Sequence, residues 1–379
     1  MKKRLLAIIL TAAVLFGCAV EAAPGGEPVV PEEVSSVPQS NPNIAPPPGR
    51  IEPGEPEPPP QPLYTEYIWQ TGRPEDHGAD SAKLESFRAA ISGHDIFSAL
   101  TVKNGVIIDE YYKDGYDEND VFRFASCTKS LTSIVIGIAI ERGYLSGIDA
   151  KLAEFFPQLA GTDKENIAIE HLLGHTSGIY WRESNGPMFR EFTSSENWLE
   201  FVFSQRVEAA PGALFQYTTG GSHVLAAILQ EATGETAHDF AKQYLFYPLG
   251  MESVEWRTDP QGYTDGGNGV SMTARDAAKL GQLYLNGGAW EGEQIISREW
   301  VEESTRRRFT PAPGAGEYHY SWWMRELAGY YVYYALGHGG QYILVVPELD
   351  LVTVMTSRVG DLFLPQGIFR DYLLPAVGG

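Results

Sequence analysis

Ser126-Cys127-Thr128-Lys129 places a hydroxyl, a thiol and an amine within one turn of chain. The residues that follow, Leu131, Ile134, Val135, Ile138 and Ala139, have helical spacing. A serine at the start of that helix and a lysine three residues on share one face. An amine held there, partly desolvated and beside the positive helix end, titrates below its usual range. It can then take the serine's proton, which makes a nucleophile without a histidine. The string is also compatible with an ordinary helix start, because serine caps helices well. Lys129 stands where a capping box would need Glu or Gln, so capping gains nothing from it. Cys127 is a rival nucleophile, but the Ser-x-x-Lys register gives the role to Ser126 and leaves a buried, inert thiol.

Two further elements follow in order. Tyr217, in Phe215-Gln216-Tyr217-Thr218-Thr219-Gly220-Gly221, precedes the helical run Val224 to Leu229, so its phenol can project from a loop into a cleft. Near the end, Gly337-His338-Gly339-Gly340-Gln341 leads into the strand-like Tyr342 to Val346. Glycines at a strand edge allow close approach to the backbone, and a main-chain N–H there can serve an oxyanion hole.

With these three elements in sequence, the chain from about Asp80 onward resembles the serine beta-lactamase-related hydrolases, in the branch of class C beta-lactamases, esterases and D-amino-acid peptidases. Ile169 to Gly178 and Gly269 to Asp276 share the resemblance. The resemblance implies that Ser126 is the acylated nucleophile and Lys129 its proton partner. Tyr217 would be the general base for acylation or a proton relay to the leaving group, its pKa lowered by Lys129. The N–H groups of Ser126 and Gln341 would bind the oxyanion, with Thr219, His338, Gly339 and Gly340 lining the substrate. Neither a metal nor a cofactor is implied. The departures from the family pattern are Thr219 for an asparagine and His338-Gly339-Gly340 for Lys-Thr-Gly. A free imidazole is only about a quarter protonated at pH 7, and Gly339 has no side-chain donor. Selection for anionic beta-lactams is therefore expected to be weak, and an ester or amide with a neutral acyl part is favoured.

The start of the chain carries a separate signal. Lys2-Lys3-Arg4 precedes the short apolar run Leu5 to Gly17, and then comes Cys18. This reads as a signal peptide (1–17) with a lipobox, too short for a membrane span. Cleavage before Cys18 would leave a lipid-anchored, extracytoplasmic protein. Residues 18–62 hold 14 of the 25 prolines and few large apolar side chains, the composition of a disordered linker. At ~3.1 Å per residue, some 40 residues span up to roughly 120 Å. With Cys18 lipidated, Cys127 remains alone and no intrachain disulfide forms. The net charge of -21 argues against nucleic acid and against peripheral binding to anionic lipid.

Residues 63–379 are expected to form one α/β (α+β) hydrolase domain, an antiparallel sheet flanked by helices with a mostly helical second lobe inserted. Ala82 to Ile91 reads as helix, and Phe97 to Lys103 with Val106 to Tyr112 as a hairpin around Asn104-Gly105. Tyr318 to Met324, Tyr330 to Leu336, Gln341 to Val346 and Leu351 to Ser357 read as successive strands, and Ile368 to Leu374 as a closing helix. His171 and His175 have metal-ligand spacing, but Glu170 precedes the first instead of following it. Gly266-Gly267-Asn268-Gly269 lacks the context of a phosphate loop and is expected to be a flexible loop near the cleft. The aromatic run from Tyr318 to Tyr334 suits an acyl pocket or sheet packing equally. The expected activity is an extracytoplasmic serine hydrolase acting on a small ester, amide or peptide. The alternatives are a peptidoglycan-directed D-amino-acid peptidase or weak beta-lactamase, and a non-catalytic cell-wall sensor lipoprotein that binds penicillin.

Overall fold

Asn104 and Gly105 both take positive φ, 54° and 73°, and close a two-residue hairpin between β1 (Ile96–Lys103) and β2 (Val106–Tyr112). The computed structural model describes residues 64–183, 187–308 and 316–378. The signal segment, Cys18 and the proline-rich stretch lie outside the described residues.

Five later strands complete the sheet: β3 (Glu317–His319), β4 (Trp322–Leu327), β5 (Tyr330–Gly337), β6 (Gln341–Val346) and β7 (Leu351–Ser357). Their order is β2-β1-β7-β6-β5-β4-β3, antiparallel throughout. The early hairpin thus pairs with the last strand, Thr101 opposite Thr353, which ties the two ends of the domain together.

Alternation sorts the strand residues between two cores. Tyr342, Leu344 and Val346 pack with Phe87 and Ile91 of α1 (Ser81–Ser92) and with Phe369 and Leu373 of the C-terminal helical stretch, 364–377. Ile343, Val345 and Val352 face the other core with Ala277 and Leu280. The helical lobe lies between β2 and β3 in sequence. Its longer helices are α2 (Thr128–Glu141), α3 (Thr219–Thr233) and α4 (Ala274–Leu285). In α2, every residue from Thr128 to Ala139 is buried. This mixed α/β architecture agrees with the sequence expectation.

Two features differ from it. The single strand expected over Tyr318 to Met324 is a hairpin, broken at Tyr320 and Ser321, which both have positive φ (33° and 70°). The helical lobe holds this turn in place: the Ser321 N–H donates to the Leu173 carbonyl at 3.1 Å, and Ser130 Oγ donates to the Ser321 carbonyl at 2.7 Å. The second feature is a three-stranded sheet of Phe122–Arg123, Val270–Met272 and Glu255–Trp256, which leads straight into Ser126. Strands of two or three residues are too short to show a period in sequence.

Candidate active site

Ser126 does not begin the α-helix. It sits in a 3-10 turn, Ala125–Cys127, between the short strand Phe122–Arg123 and α2. Ala125 takes φ +47°, a left-handed conformation that costs a non-glycine residue about 1–2 kcal/mol. The bend turns the chain sharply just before the hydroxyl. Cys127, its neighbour, is buried; its Sγ donates to the Gln341 carbonyl at 3.6 Å, and burial pushes the thiol well above its usual range. It is therefore no thiolate nucleophile.

Lys129 is the second residue of α2, about one turn after Ser126, and is 1% exposed. Its Nζ has three oxygen neighbours: Ser126 Oγ at 3.1 Å, Thr219 Oγ1 at 2.9 Å and the Gly267 carbonyl at 2.7 Å. Burial lowers the amine to about 8, against an upward pull from the Glu183 and Asp265 carboxylates. Gly267 belongs to the glycine loop, which is buried and fixed to α2, not the flexible loop that composition suggested. Thr132 Oγ1 donates to the Gly266 carbonyl at 2.8 Å, and the Val270 N–H donates to Thr128 Oγ1 at 3.0 Å. A Cβ on Gly267 would meet Thr219 Cγ2 at 2.6 Å and its carbonyl oxygen at 2.8 Å, so only glycine lets this carbonyl reach the amine.

Tyr217 enters from the loop before α3 and lies over Lys129, whose Nζ is 4.9 Å from the ring centroid. The ring packs on His175, Tyr318 and Trp323, with centroids 4.5, 5.9 and 5.9 Å away. Burial raises its pKa well above the ordinary phenol value, helped by Tyr318, although a hydrogen bond with Ser126 pulls the other way. The expectation that Lys129 lowers this phenol is thus corrected: desolvation by burial sets the direction of the shift.

Thr219, expected at the substrate, is 1% exposed and braces Lys129 instead. Its hydroxyl accepts from Nζ and donates to Oε1 of Glu183. Glu183 Oε2 accepts from the Thr219 N–H at 3.0 Å and from Trp181 Nε1. No spacing in the sequence points to Glu183, which lies 36 residues before Thr219 in an irregular segment.

The third segment borders the same turn. Gln341 opens β6, and its main chain lies beside Cys127. Its side chain ties β6 to β7, with Nε2 donating to the His338 and Ser357 carbonyls and Oε1 accepting from the Ser357 N–H. Gly339 and Gly340 are buried, with φ of +82° and +88°, and a Cβ on Gly340 would lie 2.5 Å from Ser357 Oγ. Packing against β7, not an open substrate wall, requires glycine at 340. His338 stands exposed at the edge, and desolvation and the nearby Arg123 guanidinium hold its imidazole below its usual range.

The remaining sequence candidates are structural. His171 Nδ1 accepts from the Ala168 N–H at 2.9 Å, and His175 Nδ1 from the Thr218 N–H at 3.3 Å. Among the described residues no cluster of three or more His, Cys, Asp or Glu is arranged for a metal. Tyr318, Tyr320, Trp322, Trp323, Tyr333 and Tyr334 are buried in the sheet's two cores, and of these Tyr318 and Trp323 touch Tyr217.

A seven-stranded antiparallel sheet with the Ser126 turn leading into a helical lobe is a beta-lactamase-like architecture. The family profile described as Beta-lactamase matches residues 89–363, and the chain belongs to that family. It is 28% identical over 291 residues to a 6-aminohexanoate-dimer hydrolase of Paenarthrobacter ureafaciens, covering 69% of this chain and 72% of that one. It is 34% identical over 151 residues to esterase EstB of Burkholderia gladioli, a match spanning 35% of this chain and 38% of the esterase. In fold it is similar to the octameric penicillin-binding protein homologue from Pyrococcus abyssi, with a TM-score of 0.64, 22% identity, and 79% and 78% of the two chains covered. The protein is a hydrolase of this family.

Proposed function

We propose that the protein cleaves an ester or small amide through an acyl-enzyme on Ser126. The hydrogen-bond set of Lys129 carries this reading. An ammonium has three N–H donors, and a neutral amine has two and a lone pair. The Gly267 carbonyl can only accept, and the single proton of the Thr219 hydroxyl is committed to Glu183. Both neighbours therefore demand an N–H. When Lys129 is neutral its lone pair is left for Ser126 Oγ.

In the forward step the Ser126 proton passes to Nζ as Oγ attacks the carbonyl carbon. The N–H groups of Ser126 and Gln341 receive the oxyanion. Tyr217, a neutral phenol, gives its proton to the leaving group as the tetrahedral adduct collapses, and recovers one from the Lys129 ammonium. Water reverses the sequence and frees the acid. The relative named esterase EstB supports the ester, and the one named 6-aminohexanoate-dimer hydrolase supports the amide, the bond that joins two amino acids.

The test is a panel of short p-nitrophenyl esters, nitrocefin and D-Ala-D-Ala peptides, together with a fluorophosphonate probe and intact-mass analysis. Turnover of an ester or amide with the probe on Ser126 is expected. Probe attachment elsewhere, or penicillin held on Ser126 with no turnover of any substrate, contradicts the proposal; the second outcome favours the cell-wall sensor.

We also propose that the enzyme works outside the cytoplasm on a lipid at Cys18, because Leu15-Phe16-Gly17-Cys18 follows a basic, then apolar, leader. In a bacterial host, labelled palmitate should enter the wild-type chain and not Cys18→Ser, and the variant should leave the membrane fraction. Equal labelling of both, or none of either, counts against the anchor.

A further inference from the structure

One cleft remains unassigned. Arg123, Glu255, Trp256, Arg257, Gly269 and Ser271 line a cavity of about 350 Å³ on the three-stranded sheet. Arg123 lies three residues before Ser126, so their Cα atoms are at most ~11 Å apart. Its backbone pairs with Ser271, and the Phe124 N–H donates to the Val270 carbonyl at 3.0 Å. The cleft therefore shares its wall with the loop that supplies the Gly267 carbonyl to Lys129. On the other side, the Phe124 carbonyl presses on Gly337, where a Cβ would come within 2.2 Å of it. His338 follows Gly337, which brings the third segment of the active site alongside Arg123.

The two guanidiniums in this cleft differ. Arg257 is engaged: its Nε and Nη2 donate to Asp265 Oδ2 at 3.0 and 2.7 Å. Among the described residues, no carboxylate lies within ion-pair distance of Arg123, Glu255 on the same wall included. Arg123 is exposed on the cleft wall, so its charge is open to a ligand there. Desolvation and the like charge of Arg257 both disfavour its cation, and Asp265 offsets them only in part. A bound anion would offset the like charge of Arg257, and the planar guanidinium fork matches a carboxylate.

We infer that this cleft is a carboxylate subsite centred on Arg123, and that the substrate is an ester or amide bearing a free carboxylate away from the scissile bond. The inference rests on the Ser126 acyl-enzyme and replaces the expectation of a neutral acyl part, which was drawn from His338. Burial and Arg123 hold the His338 imidazole below its usual range, and the fixed charge comes from the strand that precedes Ser126.

The experiment compares kcat/KM of the full chain for matched ester pairs. In one pair the carboxylate is in the acyl part (p-nitrophenyl hydrogen glutarate against p-nitrophenyl butyrate). In the other it is in the leaving group (4-acetoxybenzoate against its methyl ester). In one of the pairs the anionic ester should be preferred by roughly tenfold to a hundredfold, the value of one hydrogen-bonded charge pair. Arg123→Gln should collapse that preference, and Arg123→Lys should restore part of it, with Ser126 still labelled by fluorophosphonate in both. No preference in either pair, or an equal loss on anionic and neutral esters in Arg123→Gln, overturns the subsite. Failure of the wild-type chain to label at Ser126 overturns the acyl-enzyme and the subsite with it.

Discussion

Ser126→Ala should lower kcat for the best ester by about 10⁵-fold or more, Lys129→Met should cost nearly as much, and the double variant should be no worse than the first. Nucleophile and base act as one unit here. Without the hydroxyl there is nothing for the amine to deprotonate, and without the amine the hydroxyl keeps its proton. Methionine in place of Lys129 removes a charge from a site 1% exposed, so the fold should survive and thermal unfolding should show it. The same pair predicts the pH profile. The base must be neutral, and its amine titrates at about 8. Below that value kcat/KM should rise about tenfold per pH unit, and above it the curve should level off. Stopped-flow or plate assays from pH 6 to 10 measure this directly. A profile flat from pH 6 to 8, or Lys129→Met retaining a tenth of the activity, removes Lys129 from the role of base.

The ordered motifs were readable because local chemistry places them: Ser126 and Lys129 lie one turn apart on any helix, and Asn104-Gly105 specifies its hairpin. Strands β6 and β7 were readable as well, because each is an apolar run bounded by turn residues, Gly339-Gly340 and Pro347 to Asp350. The misreadings have a common cause. Composition marks a turn but does not say what packs on it. Gly266 to Gly269 looks like any loop in sequence, yet it is pressed on α2 because two of its carbonyls find Thr132 and Lys129. Tyr320 and Ser321 carry no turn signal, and the hairpin there exists because Leu173 and Ser130, far away in sequence, hold its backbone. The direction of the Tyr217 shift was illegible for the same reason. A nearby cation and a low dielectric push a phenol in opposite directions, and only the surrounding Tyr318 and Trp323 show that burial prevails.

Glu183 is the residue the sequence hid most completely, and Glu183→Gln should separate two effects of opposite sign. The carboxylate raises the Lys129 pKa, so its neutralisation should move the midpoint of kcat/KM to lower pH. Taken alone, that shift gives more neutral base at pH 7 and a faster enzyme. Hydrogen-bond direction works against it. Oε2 of Glu183 accepts from two N–H groups, those of Trp181 and Thr219, and Oε1 accepts from the Thr219 hydroxyl. A glutamine must turn its single oxygen to the two N–H donors, which puts its NH₂ against Thr219 Oγ1. That oxygen now accepts, and its proton is free to swing toward the lone pair of Lys129, 2.9 Å away. Ser126 then competes with Thr219 for the same lone pair. The plateau kcat should fall by about 10²-fold, the lower range for losing a positioned base, with KM changed little. A purely structural role for Glu183 would lower folded protein and leave both midpoint and plateau of the surviving enzyme unmoved. A midpoint that rises, or a plateau that holds, would mean that the Thr219 proton does not decide where the Lys129 lone pair points.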